Sequence, residues 1–226
     1  MRVESKTFSI VLKVLIGGLS LVTFWICFVL FGASVWRLFF AWVLLIAGIY
    51  YLTTALVLVF SDEPYDFSPC PMIVGLILIN FLLVSLTSFI FAATGQDIVL
   101  LSGLPAALLY GTLPVLALAD WFLFAHKGGW HTIYPFYWLA LPTLYGAFII
   151  FTAVISPDMN LAYPLAFLDW QNFGFSDFCT FLLMFAILIL TAGYVLVLLD
   201  GLMGGKVSKY IVLPRLETIE DEEEES

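Results

Sequence analysis

Residues 104–127 read LPAALLYGTLPVLALADWFLFAHK, an apolar segment that contains one acid and two prolines. Asp120 is the one carboxylate that the sequence places well inside a hydrophobic segment, and such a charge is costly in lipid unless a partner, water or protonation relieves it. Pro105 and Pro114 remove backbone donors, so the segment is predicted to be a broken helix whose neighbours compensate. We therefore expect the function of the chain to centre on this segment.

The composition predicts an all-α integral membrane protein. The chain is 63% hydrophobic and 11% charged, whereas a soluble domain has about 25% charged residues. Helices are expected to span the membrane because backbone groups in hydrocarbon must be hydrogen-bonded within the segment. Six apolar stretches have about the 20 residues that a span needs: 8–31, 37–60, 72–94, 100–125, 134–155 and 176–199.

The distribution of basic residues predicts the orientation. With the N-terminus in the cytoplasm, only Arg37 lies outside, and all other bases lie inside: Arg2, Lys6, Lys13, Lys127, Lys206, Lys209 and Arg215. By the positive-inside rule, both termini are predicted to be cytoplasmic. The membrane is expected to be the plasma membrane of a bacterium. Residues 1–200 form the predicted six-helix transmembrane domain, and 201–226 form a cytoplasmic tail whose acid-rich end is predicted to be disordered.

Several classes of partner are not expected. The net charge is −9 and no basic stripe is present, so nucleic acid is not an expected partner. The three cysteines show no metal-ligand or disulfide spacing, and His126 and His131 share no helix face, so neither a metal nor a cofactor is predicted. The expected partners are membrane lipids and a lipid-like ligand.

Polar residues of the inner half could form one pocket. The candidates are predicted to converge at a similar depth, with Tyr110 added from span four: Lys13, Thr53, Thr54, Asn80, Asp120 and Tyr110. In one interpretation the pocket opens to the cytoplasm and Lys13 is the counter-ion of Asp120. In the other, which the sequence favours, Lys13 snorkels to the headgroups, and Asp120 caps its helix or pairs with Lys127.

A second candidate pairing lies on the outer side. Arg37 is the sole predicted outer base, and the long outer loop, 156–175, carries acids such as Asp169. We expect an ion pair that pins this loop, and at an exposed edge it would contribute little stability.

The chain resembles the androgen-induced six-pass membrane proteins and their bacterial six-pass relatives. Three groups of residues carry the resemblance, beside the number of spans: Pro114 with the acid of ADWFLF at 119–124; Pro142 and Tyr145 in LPTLYG; and the loop residues Tyr163, Pro164, Phe167, Leu168 and Asp169. The resemblance implies a six-helix fold. In animal members it implies hydrolysis of hydroxy-fatty-acid esters by a threonine of span two and a histidine of span four. The matching positions here are Phe40 and Leu109 or Tyr110, which departs from that pattern.

Three functions are compatible with the sequence. The first is a non-catalytic protein that binds a lipid or small amphiphile in its helical bundle, since the threonine and histidine pair is replaced. The second is a membrane-embedded lipid-ester hydrolase with a relocated site, for which Thr53 or Thr54 would have to supply the nucleophile. The third is a small-solute transporter, which the aliphatic and aromatic middle of most spans disfavours.

Overall fold

The computed structural model describes residues 5–64, 67–94, 101–155 and 174–204, and these are helical with no strand. A 3₁₀ helix, Gly32–Arg37, and a π-helical turn, Leu108–Thr112, accompany eight α-helices. The α-helices are α1 (Lys6–Phe31), α2 (Phe39–Phe60), α3 (Pro71–Thr94), α4 (Gly103–Ala107), α5 (Leu113–Phe124), α6 (Tyr134–Trp138), α7 (Ala140–Ile155) and α8 (Phe175–Met203).

Six helical stretches are long and apolar enough to cross a membrane. The predicted all-α class and number of candidate spans are therefore confirmed. The outer surface of the bundle is rich in large apolar side chains. Phe60 is 83% exposed and Phe89 is 73% exposed, as expected for side chains that face lipid.

Two glycines allow α1 and α2 to pack closely as an antiparallel hairpin. A Cβ atom added at Gly17 would lie 2.8 Å from Leu52, and one added at Gly48 would lie 2.4 Å from Leu21. Small residues at such crossings let helix backbones approach each other. The Nζ of Lys6 donates to the carbonyl of Ser61 at 2.6 Å, which joins the start of α1 to the end of α2.

We call the end of the bundle that holds Lys6, Lys13 and Lys127 the basic end. The stretch 101–127 reaches it as a broken helix, as predicted. The N–H of Leu113 bonds back to the carbonyl of Leu108, five residues earlier, which is the π-helical register. Pro114 follows immediately and has no N–H to donate, so the hydrogen-bond ladder is interrupted at this point.

Tryptophans fill the core of the basic end. The rings of Trp121 and Trp130 stack with centroids 5.3 Å apart, and Trp138 meets Trp130 edge-on at the same distance. The indole N–H of Trp138 donates to the carbonyl of Met72 at 2.9 Å, tying α6 to the start of α3. This packing fixes the helix ends that carry the site described next.

Candidate functional site

A buried ion pair joins α1 to α5 near the basic end. The Nζ of Lys13 lies 2.6 Å from Oδ1 of Asp120, and the two side chains are 6% and 4% exposed. The same Nζ donates to the hydroxyl of Ser9 at 3.3 Å. Buried ion pairs in lipid are costly to form, and they are often retained where a protein binds or transfers something.

Helical periodicity explains why both side chains point inward. On α1, Lys13 shares its buried face with Ser9 and Ile16, four residues before it and three after it. On α5, Asp120 shares its buried face with Ala117 and Phe124, at a similar spacing. Residues three and four apart lie on one side of a helix, so each charge is carried into the core by its apolar neighbours.

A small cavity of about 10 Å³ lies beside the ion pair, which is about the space of one water molecule. The lining contains both polar and apolar residues. The polar residues are Lys13, Tyr50, Thr54, Ser68 and Asp120, and the apolar ones are Phe67, Val74, Phe124 and Ala125.

Residues 67–70, which precede α3, form a cover on one side of this cavity. The hydroxyls of Tyr50 and Ser68 lie 2.7 Å apart, and the Tyr50 hydroxyl donates to the carbonyl of Cys70 at 3.3 Å. Phe67 and Ser68 belong to this cover and form part of the cavity wall. Tyr50 therefore holds the cover in place from α2.

The structure shows Lys13 as the counter-ion of Asp120. Lys13 is 5% exposed and does not snorkel, contrary to the interpretation that the sequence favoured. The Nζ of Lys127 instead donates to the carbonyl of Trp121 and lies 3.6 Å from the centroid of the Trp121 ring. The stacked tryptophans thus hold Lys127 beside the site. The buried partner of Asp120 is Lys13, which is far more distant in the sequence.

Of the other predicted pocket residues, only Thr54 joins the cavity. Thr53 is exposed, and its hydroxyl donates to the carbonyls of Ile49 and Tyr50. The predicted placement of Thr53 is wrong because successive helical residues are about 100° apart, so the core receives Thr54 and not its neighbour.

Asn80 and Tyr110 also lie outside the cavity lining. Asn80 is 1% exposed, and its amide nitrogen donates to the carbonyl of Leu76 at 2.7 Å. The hydroxyl of Tyr110 accepts from the N–H of Leu101 at 3.3 Å, at the end of the bundle opposite the basic end. Asn80 bonds within its own helix although its predicted depth is similar to that of Asp120, and Tyr110 lies too far along its span to reach the cavity.

The predicted outer pairing cannot be followed to its acid. Asp169 lies outside the described residues. Arg37 is 6% exposed at the end of the 3₁₀ helix, so it is not the exposed base that the sequence suggested. Its carbonyl accepts from the hydroxyl of Tyr145 at 2.7 Å, which ties α7 to this turn.

Sequence reasoning missed a second buried acid, Asp200. Its Oδ2 accepts the N–H groups of Gly128 at 2.9 Å and Trp130 at 3.1 Å, and the side chain is fully buried. The signal was available, because Ile189 and Leu196 precede it at helical spacing on the buried face of α8. Asp200 fixes the loop after α5 and so supports the position of Asp120.

The positions that the family resemblance assigns to catalysis are packed as core. Phe40 is 8% exposed and Leu109 is fully buried. Among the described residues, no cluster of three or more histidines, cysteines and acids could hold a metal ion.

Comparisons with protein families, with curated proteins and with solved structures found no match. The resemblance to the androgen-induced family therefore depends only on the residues quoted above. The class that the structure defines is an all-helical protein with six candidate membrane spans and a buried ion pair near one end of its bundle.

Proposed function

We propose that this protein is a non-catalytic, multi-pass protein of a bacterial plasma membrane that binds a small amphiphile at the cytoplasmic end of its bundle. The six candidate spans support the membrane location. The excess of lysine and arginine on one side supports cytoplasmic termini, and it makes the basic end the cytoplasmic one.

The observation that carries the proposal is the mixed polar and apolar lining of the cavity beside the ion pair. Lys13, Asp120 and Thr54 offer charge and hydrogen bonds, while Val74 and Phe124 offer apolar surface. Ligand sites combine an apolar lining with a few convergent polar groups in this way. An amphiphile combines a polar head with an apolar chain, which suits the polar and apolar residues of this lining.

The cavity holds only about one water, so a ligand larger than water requires lining residues such as Phe67 and Ser68 to move. Ser68 and Cys70 of the cover are held by the single hydroxyl of Tyr50. A cover fastened by a few hydrogen bonds can open at modest cost, since each typically contributes about 1 kcal/mol.

A relocated hydrolase is the second candidate, and one observation favours it. Thr54 lines the same cavity as Lys13 and Asp120, and lysine serves as the base for some hydroxyl nucleophiles. The geometry opposes it, because the Thr54 hydroxyl donates to the carbonyl of Tyr50 at 2.8 Å. The Nζ of Lys13 is engaged with Asp120 at 2.6 Å and with the Ser9 hydroxyl at 3.3 Å, and no hydrogen bond joins it to Thr54 among the described residues. Binding is therefore preferred to hydrolysis.

Two measurements on the purified full chain separate these functions. In native mass spectrometry, we expect a co-purified amphiphile that is retained by the parent protein and lost from an Asp120→Leu variant. With a β-lactone probe that acylates hydroxyl nucleophiles, we expect no adduct on Thr54. An adduct that disappears in Thr54→Val but persists in the matched control Thr53→Val would instead establish the hydrolase. Equal retention by parent and Asp120→Leu protein would reject the binding site.

A further inference from the structure

We propose that the site beside Lys13 and Asp120 selects an uncharged headgroup that bears a hydroxyl, over a carboxylate or an ammonium. This inference rests on the proposed amphiphile binding and adds the chemical class of the ligand. Alcohols, acylglycerols and other hydroxyl-headed amphiphiles belong to this class.

The opposite charges of Lys13 and Asp120 balance each other. Their charged atoms lie 2.6 Å apart, and both side chains are more than nine-tenths buried. The Nζ of Lys127 lies over the Trp121 ring and does not line the cavity. A headgroup with a net charge would leave one charge uncompensated in this water-poor site, and an unpaired buried ion is strongly destabilising. An uncharged headgroup adds no such charge.

The ion pair also has hydrogen-bonding capacity that is not used. Among the described residues, Lys13 donates to Asp120 and Ser9, which leaves one of its three N–H groups unused. Asp120 is hydrogen-bonded through Oδ1 alone in the same part of the chain. A donor and an acceptor are thus both available at one place.

Tyr51 provides an independent indication that a polar group belongs near Asp120. Its side chain is 1% exposed, and its hydroxyl has no hydrogen-bond partner in the described part of the chain. It lies close enough to Asp120 for the two groups to interact electrostatically. A buried hydroxyl without a partner is costly, and a polar group near it would remove that cost. Tyr51 itself is not one of the residues that line the cavity.

A hydroxyl headgroup fits this arrangement better than the charged alternatives. A hydroxyl both donates and accepts, whereas a carboxylate only accepts and a primary ammonium only donates. The cavity of about 10 Å³ accommodates a group the size of water, and large headgroups such as phosphocholine exceed it. With the cover displaced, the alkyl chain would lie against Phe67, Val74 and Phe124, which are apolar residues of the lining.

The experiment compares three decyl-chain diazirine probes that differ only in the head: hydroxyl, carboxylate or trimethylammonium. Each is photolysed with the full chain in lipid nanodiscs at pH 7.5, and the cross-linked peptides are mapped by mass spectrometry. We expect the hydroxyl probe to label residues 67–74 and 120–125 at least about ten-fold more than either charged probe, equivalent to about 1.4 kcal/mol. Labelling by a charged probe that equals or exceeds that of the hydroxyl probe would overturn the inference while leaving amphiphile binding intact. Absence of labelling by all three would overturn the proposed function itself.

Charge variants provide a second, internally matched test. Asp120→Asn leaves Lys13 as a net positive charge, so the carboxylate probe should gain over the hydroxyl probe. Lys13→Met leaves a net negative charge, so the trimethylammonium probe should gain instead. Thr53→Ala, whose hydroxyl lies outside the cavity, should keep the parent preference. Probe preferences that stay the same in both charge variants would contradict the charge-balance argument.

Discussion

Replacing Lys13 by methionine removes one partner of the buried ion pair and leaves Asp120 without its counter-ion. The two charged atoms lie 2.6 Å apart. At an effective dielectric constant of about 20, their attraction is about 6 kcal/mol. The desolvation of the two charges offsets several kcal/mol of this attraction. Removing one member of such a pair typically destabilises a protein by about 3–5 kcal/mol. We expect Lys13→Met to fall in this range.

Removing Asp120 should cost less stability than removing Lys13. Without Asp120, Lys13 can extend its chain toward the basic end, where α1 begins about 10 Å away at 1.5 Å per residue. Asp120→Leu is therefore expected to destabilise the protein by a smaller amount than Lys13→Met. The double variant should return close to the parent stability, because it buries no unpaired charge and replaces the pair by apolar side chains.

The assay is reversible unfolding of the purified protein in mixed micelles, followed by near-UV circular dichroism as the fraction of dodecyl sulfate rises. The two single variants and the double variant form a double-mutant cycle with a coupling energy of at least about 3 kcal/mol. Lys6→Met is the matched control. Lys6 lies at the start of α1 and donates to the carbonyl of Ser61, so its removal leaves no buried charge without a partner. Single variants within about 0.5 kcal/mol of the parent, with no coupling, would refute the reasoning.

Two further changes, each with a matched control, test the packing that positions the site. Gly75→Ala places a Cβ 2.0 Å from the Trp138 ring and should lower the free energy of unfolding by about 1–3 kcal/mol in the same assay. Gly18→Ala is its control, because a Cβ added there meets no atom within 4 Å and should not lower the free energy of unfolding. Asp200→Ala leaves the N–H groups of Gly128 and Trp130 without their acceptor, for a loss of about 1–3 kcal/mol. Asp200→Asn retains an amide oxygen as acceptor and should lose much less. Equal losses for alanine and asparagine would show that the two N–H groups do not depend on this oxygen.

The fold was predictable because span length and apolarity are local properties of the chain. The predicted second span, 37–60, differs from α2 (Phe39–Phe60) only by Arg37, which ends the 3₁₀ helix, and by Leu38, which precedes α2. The break in span four was predictable for a similar reason, since Pro114 lacks a backbone donor wherever it lies.

The candidate site was predictable only in part. Depth along each span can be read from the sequence, and it put Lys13 and Asp120 at a similar level, although the favoured interpretation did not pair them. Which side of a helix faces the core requires the burial pattern of its neighbours, and depth alone did not distinguish Thr54 from Thr53. The loop contact between Tyr50 and Ser68 has no periodic signal, because it depends on how the chain returns after α2.

The central claim is that the ion pair lies near the cytoplasmic end of a six-span bundle, and the sidedness of two loops tests it most directly. Single cysteines are introduced by Thr132→Cys, in the exposed loop at the basic end, and by Ser102→Cys, exposed at the opposite end, with Cys27, Cys70 and Cys179 replaced by serine. A membrane-impermeant maleimide applied to intact cells should label the Ser102→Cys protein and not the Thr132→Cys protein, and inverted vesicles should give the reverse. Labelling of the Thr132→Cys protein from outside would place the ion pair at the outer face and contradict the account.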